Sequence, residues 1–219
     1  MLRMLSSSRQ DEEGGSMKVF IDLFSGLGGA SAAFDLAPDW VVIKYDNNPE
    51  LVEHNRGLEI LDLNDVPTAI HSIRLRVSEL MEAKMTGLQK LVIWASPPCN
   101  EFSYANATRP DEPSLDLVNA AREIIEYFDP DFWLVENVQG ARPYFNEIFG
   151  RPPTQEIGPV ILWGHFPLIP IRTRDEWKHR KMESKGTRLL RPNMRAIIPL
   201  PISEGLLDTI AHQQTLFDY

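Results

Sequence analysis

Five short apolar runs, each closed by a glycine, proline or polar residue, set the strongest limit on how this chain can fold. They are Lys18 to Phe24, Val41 to Asp46, Leu58 to Leu63, Leu91 to Ala95 and Phe132 to Val135. Runs of this length, rich in β-branched and aromatic residues, read as buried strands rather than helices. Helical patterns lie between them. A short Ala-rich helix to Phe34 is expected after the first run. Ile70, Ile73, Val77, Leu80 and Met81 form a stripe within 69–84. Ser114 can cap a further helix whose buried face is Leu117, Val118, Ala121, Ile124, Ile125 and Phe128, and Asp129-Pro130 ends it. Alternation of strand and helix over residues 18–138 predicts an α/β fold with a doubly wound, mostly parallel sheet. Val160 to Trp163 offers one more strand, and Ser203 to His212 a closing helix through Leu206, Leu207 and Ile210.

Sheets of this kind bind ligands outside the carboxyl ends of their strands. The first run enters Ser25-Gly26-Leu27-Gly28-Gly29-Ala30-Ser31. A strand, a glycine turn and a helix start form a nucleotide cradle, because glycines let the backbone approach the ligand. The plain alternative is a tight turn. The spacing is G-x-G-x-x-S, with Ser31 where a dinucleotide-binding fingerprint has its third glycine, which weighs against an NAD-linked dehydrogenase. Asp46 closes the second run about twenty residues on, where a carboxylate can take both hydroxyls of a ribose. Its alternative role is to cap the helix start signalled by Asn47-Asn48-Pro49. The fourth run ends in Ser96-Pro97-Pro98-Cys99-Asn100-Glu101-Phe102-Ser103. The prolines stiffen the turn, and a lone thiol just past a strand end is where a nucleophile would stand. The alternative is an inert buried cysteine. Residues 100–113 form a polar loop placed to cover a site. Glu136 closes the fifth run in the same kind of position.

The 219 residues suit one domain. A single cysteine excludes an internal disulfide and fits a reducing, cytoplasmic setting. The five histidines have no metal-ligand spacing, and no apolar run approaches a membrane span, so neither a metal nor a membrane is expected. The net charge is −9, yet residues 151–195 carry ten Lys and Arg against four Asp and Glu. A basic strip inside an acidic chain suits either a solvated loop or contact with phosphates. The expected organisation is a disordered leader over 1–16, with Met17 a natural start, a catalytic domain over 17–163, a basic segment over 164–195 and a C-terminal helix packing back over 196–219.

Asp22-Leu23-Phe24-Ser25-Gly26-Leu27-Gly28-Gly29, then Pro97-Pro98-Cys99 with Phe102-Ser103, then Glu136-Asn137-Val138 occur in this order, each after an expected strand. This set resembles the C5-cytosine DNA methyltransferase family over about residues 18–138. The resemblance implies the Rossmann-like fold of S-adenosylmethionine-dependent methyltransferases. It implies that Asp22, Phe24, Ser25, Gly26, Gly28, Gly29, Asp46, Asn47, Asp62, Leu63 and Pro97 bind S-adenosyl-L-methionine. Within that set Asp46 would hold the ribose and Asp62 meet the adenine amino group. Cys99 matches the nucleophile, supported by Pro98, and Glu136 the carboxylate that holds the cytosine edge. Arg172 and Arg174 stand for the family's Arg-x-Arg pair. Asn100 replaces the usual glutamine after the cysteine. Arg195-Ala196-Ile197-Ile198-Pro199 with the closing helix is similar to the family's final motif, which packs beside the cofactor.

The implied reaction is methyl transfer to C5 of a flipped-out cytosine in DNA through a covalent Cys99–C6 intermediate, in the manner of restriction-modification systems. The thiol must ionise, so the site is expected to lower its pKa. From Gly164 to Pro192 there are 29 residues, too few for an independent recognition domain. Lys178, Arg180, Lys181, Lys185, Arg188 and Arg191 can contact phosphates, which position without specifying. Sequence preference is therefore expected to be short or relaxed, or supplied by a protein partner. Two alternatives stand beside this reading: the same chemistry on RNA or a free cytosine nucleotide, and a non-catalytic cofactor-binding subunit.

Overall fold

The computed structural model describes residues 16–84, 86–171 and 191–216, with side chains omitted at 191–192 and 213–216. The expected leader up to residue 15 and most of the basic segment, including Arg172 and Arg174, lie outside the described residues. Seven strands make one sheet: β1 (Met17–Leu23), β2 (Trp40–Asp46), β3 (Leu58–Ile60), β4 (Leu88–Ala95), β5 (Phe132–Asn137), β6 (Gln155–Ile157) and β7 (Val160–His165). Their order is β3-β2-β1-β4-β5-β7-β6. The pairs β1/β2, β1/β4, β2/β3 and β4/β5 are parallel, while β7 is antiparallel to both β5 and β6. The expected doubly wound, mostly parallel sheet is what the chain forms. Chain order reverses direction between β1 and β4, and a crevice opens at such a switch point.

Side chains alternate across the sheet, as the pleat requires. Val19, Ile21, Leu23, Ile93 and Val135 point to one face, where α1 (Val66–Lys84), α2 (Asp116–Phe128) and α3 (Arg142–Phe149) cover them through Ile73, Val77, Ile124 and Phe145. Phe20, Val92, Trp94 and Leu134 point to the other face. There α5 (Leu200–Leu216), after the short α4 (Arg191–Ala196), lays down Ile202, Leu206 and Ile210, all fully buried. The i, i+4, i+8 spacing puts these three on one stripe, and their burial is worth roughly 5–9 kcal/mol. That holds the end of the chain against its beginning.

Four expectations are corrected by this arrangement. No α-helix follows the glycine turn; residues 25–33 form successive turns and Phe34–Leu36 a single 3-10 turn. The cause is Ser203 of α5. Its hydroxyl donates to Ala30 C=O at 2.7 Å and accepts from Ala33 N–H at 3.0 Å, so the backbone groups that would start a helical ladder are spoken for. The third strand stops at Ile60, because Asp62 forms a tight turn by accepting the Asn64 N–H. Helix α2 begins after Leu115; Ser114 Oγ still accepts the Asp116 N–H at 3.2 Å. The closing helix starts at Leu200 rather than Ser203, and β6, α3 and α4 were not anticipated.

Candidate active site

The turn after β1 is built from below. Phe24 has φ +57°, a left-handed conformation that costs a non-glycine residue about 1–2 kcal/mol. It is held there by the Ser25 N–H bond to Tyr45 C=O, 3.0 Å, and by packing of the Phe24 ring on the core. Asp22 is 1% exposed and lies under the turn, accepting from Ser25 Oγ at 2.9 Å and Ser31 Oγ at 2.7 Å. Burial pushes its carboxyl up to about 6 against the pull of both serines. Asp22 and the Ser25 hydroxyl therefore brace the turn from beneath.

The three glycines differ in what they permit. A Cβ on Gly29 would sit 2.5 Å from Ile198 C=O, so Gly29 serves the return of the C-terminal segment. A Cβ on Gly28, at φ +75°, would lie 2.7 Å from Asn55 Oδ1. Only beside Gly26, at φ +55°, is the nearest group as far as 3.9 Å, the Asn193 carboxamide of α4. Close approach of a ligand to the backbone is open at Gly26 and closed at the other two.

Around Gly26 the remaining expected residues take their places at the carboxyl edge of the sheet. Asp46 ends β2, half-buried; one carboxylate oxygen accepts the Gly26 N–H and the other the Asn48 N–H, both at 3.0 Å. Asn48, not Asp46, caps the following 3-10 turn by accepting the Glu50 N–H. Asn47 is exposed between them. Beyond β3, Asp62 is exposed and Leu63 is buried.

The second half of the site hangs from β4 and β5. Ala95 pairs with Val135 in parallel register, which brings the ends of the two strands side by side. Pro97 is buried, Pro98 exposed and Cys99 half-buried. Phe102 N–H and Ser103 N–H both return to Cys99 C=O, at 3.0 and 2.9 Å, closing the turn on the cysteine. Two ties join that turn to the residues after β5. Asn137 Nδ2 donates to Pro97 C=O at 2.9 Å. Gly140 packs so closely on Phe102 C=O that an added Cβ would lie 1.9 Å away. Asn137 was read only as part of the Glu136-Asn137-Val138 motif, with no role of its own, and Gly140 was not singled out, although both stand within four positions of Glu136. Past the turn, residues 101–113 and α3 enclose a cleft of about 160 Å³ lined by Tyr104, Arg109, Pro143 and Tyr144 among others. Cys99 and Glu136 do not line it.

Glu136 is half-buried, and burial pushes its carboxyl up to about 7 even though the Ser96 hydroxyl bonds to it. Burial also raises the Cys99 thiol above its ordinary 9.0, and the Glu136 charge adds to the rise. The expectation of a lowered thiol pKa is thus reversed among the described residues. Nothing cationic in them faces the sulfur strongly enough to offset its desolvation, and Arg172 and Arg174 lie outside them. The Cys99 thiol thus senses the charge of Glu136.

A family model for C-5 cytosine-specific DNA methylase matches residues 18–147, more than half of the chain, from β1 through most of α3. The chain belongs to this family. It is similar to the Type II methyltransferase M.HindV of Haemophilus influenzae, with 28% identity over 119 residues, 54% of this chain and 37% of that protein. It is also similar to the Type II methyltransferase M.HgiGI of Herpetosiphon aurantiacus, with 30% identity over 127 residues, 56% of this chain and 91% of that one. The match thus spans little more than a third of M.HindV. A solved structure, Thermoplasma acidophilum 1320, aligns over 68% of this chain and 79% of its own with a TM-score of 0.41 and 10% identity, too distant a likeness to inform the site. Among the described residues no helix is long and apolar enough to cross a membrane.

Proposed function

We propose that the chain transfers a methyl group to C5 of a cytosine in DNA through a covalent bond between Cys99 Sγ and C6. The observation that carries this reading is the pairing of a thiol with a carboxyl that holds its proton near neutrality, at the ends of adjacent strands. Attack of the Cys99 thiolate on C6 pushes an electron pair into the ring. Glu136, as the acid, delivers a proton to N3 and so drains that charge. C5 becomes nucleophilic. S-Adenosyl-L-methionine, when bound, supplies the electrophilic methyl group. Release of the C5 proton to water then expels Cys99 as thiolate, and N3 returns its proton to Glu136, which restores both groups. A base stacked in a duplex is out of reach of such a site, so the cytosine must be flipped out.

The fit of the methyl donor rests on the crevice beside Gly26. The unencumbered Gly26 backbone, the half-buried Phe24 ring and Pro97 would border it; Asp46 would take its ribose hydroxyls and Asp62 its adenine amine, with Asn47 and Leu63 alongside. Pro98 stiffens the approach to Cys99. Arg172 and Arg174 are proposed to contact the substrate from the basic segment. Because the 29 residues from Gly164 to Pro192 are too few for an independent recognition domain, we propose that sequence recognition is short or comes from a partner protein. Incubation with 5-fluorocytosine DNA and donor should trap a denaturation-resistant adduct through Cys99, since fluorine at C5 cannot leave as a proton. Labelling of RNA or free cytosine nucleotide instead of DNA would move the activity to that substrate, and no adduct with any of them would refute the covalent step.

A further inference from the structure

Asn55 lies between the 3-10 turn Pro49–Leu51 and β3, and it is only 3% exposed. Its carboxamide nitrogen donates to Ser25 Oγ at 3.0 Å and to Gly26 C=O at 3.1 Å. Its oxygen accepts from Lys44 Nζ at 3.2 Å. A lysine only donates, so Lys44 fixes which end of the carboxamide faces it and aims the two N–H donors at the turn. Lys44 is itself anchored, by Asp35 Oδ2 at 2.6 Å and Arg56 C=O at 3.1 Å. Asn55 therefore ends a relay that runs from the exposed Asp35 through the buried Lys44 to the glycine turn. The Gly26 peptide groups are gripped on both sides: the N–H by Asp46 and the C=O by Asn55. Gly26 is also the one turn glycine with open space beside it.

We propose that Asn55 is a positioning residue for the methyl-donor site, setting from the β2–β3 crossover the backbone against which the donor lies. This rests on the reading of the Gly26 crevice as the donor site. Asn55 touches no reacting atom. Its effect is to hold the Gly26 carbonyl and the Ser25 hydroxyl in the orientation that leaves the crevice open, and so to remove the cost of ordering the turn when the donor binds.

The test uses the full chain. Binding of S-adenosyl-L-methionine and S-adenosylhomocysteine is measured by calorimetry for wild type, Asn55→Ala and Asn55→Asp, with turnover on unmethylated genomic DNA and thermal melting alongside. Loss of the two donated hydrogen bonds should weaken both ligands by about ten- to thirtyfold and raise the donor KM equally, with kcat at saturating donor within about twofold. Asn55→Asp keeps the shape and loses the donors. The new carboxylate pairs with Lys44 and cannot donate to Ser25 Oγ or the Gly26 carbonyl, so the variant's affinity should fall at least as far as that of Asn55→Ala. Unchanged donor affinity in both variants would overturn the proposal. So would losses of affinity and kcat that merely follow the folded fraction, or an Asn55→Asp variant that binds the donor as tightly as wild type. Failure of the wild type to bind either ligand would remove the donor-site reading itself, a result distinct from those three.

Discussion

Replacing Glu136 by Gln should make the protein more stable and much less active, with both effects governed by one ionisation. Burial lifts the carboxyl from an ordinary 4.5 to about 7. Each pKa unit is worth about 1.4 kcal/mol, so the folded state carries a penalty of about 3 kcal/mol once the group is ionised. The sign follows from the direction of the shift. Below pH 4.5 the carboxyl is protonated in folded and unfolded chains alike, and there is no penalty. Between 4.5 and 7 the unfolded chain gives up its proton first, so stability falls as pH rises. Above 7 the penalty is complete. Glutamine keeps the shape and an acceptor for the Ser96 hydroxyl and never ionises. Urea unfolding at pH 8 should therefore find Glu136→Gln up to about 3 kcal/mol more stable than wild type, and at pH 5 less than about 1 kcal/mol more stable.

Turnover should report the same group. The reacting form needs Glu136 protonated and Cys99 ionised, yet the acid titrates near 7 and the thiol above 9. The productive pair is then a minority at every pH. Its population rises with pH up to about 7, stays level until the thiol titrates, and falls beyond. Wild-type kcat/KM should show that break near 7. In Glu136→Gln the break should vanish, leaving a rate lower by about 10²–10⁴-fold that climbs with pH throughout. Equal stabilities at pH 8, or a break near 7 that survives the substitution, would refute the reasoning.

Cys99→Ala should abolish methyl transfer and adduct formation while calorimetry finds S-adenosyl-L-methionine binding within about twofold of wild type, because the proposed role of the sulfur is to attack the base rather than to hold the donor. In Gly140→Ala, the added Cβ must displace Phe102 C=O and with it the turn that closes on Cys99; kcat should fall tenfold or more, with donor affinity retained in the same titration. Ser203→Ala leaves the Ala30 carbonyl and Ala33 N–H without their partner, and denaturant unfolding should register a loss of about 1–3 kcal/mol.

The alternation of apolar runs with helical stripes was enough to recover the parallel sheet, because each strand's burial on both faces is written into its own few residues. The motif order likewise led to the family. The helix foreseen after the glycine turn failed for a reason no local pattern holds. Ala30 to Phe34 has good helix formers, but the competing hydroxyl belongs to Ser203, 170 positions away from the Ala33 N–H it captures. Helix α3 was legible in principle: Pro143 opens its first turn and Gly150, at φ +62°, closes it. Strand β6 has three residues and no periodicity to read.

The same divide runs through the site. Residue identity and strand order are local properties, and they determined which side chains stand at the sheet's carboxyl edge: Cys99, Glu136, Asp46 and the glycines. Which of these face a ligand was decided only by packing. Asp22 and Gly29 look like Gly26 in the chain, yet one braces Ser25 and Ser31 and the other makes room for Ile198. Protonation was decided there too, since a carboxyl held up to about 7 and a thiol pushed above 9 reflect desolvation by residues distant in sequence. A chain specifies its contacts one residue at a time, but burial, and with it charge, exists only once those residues have come together.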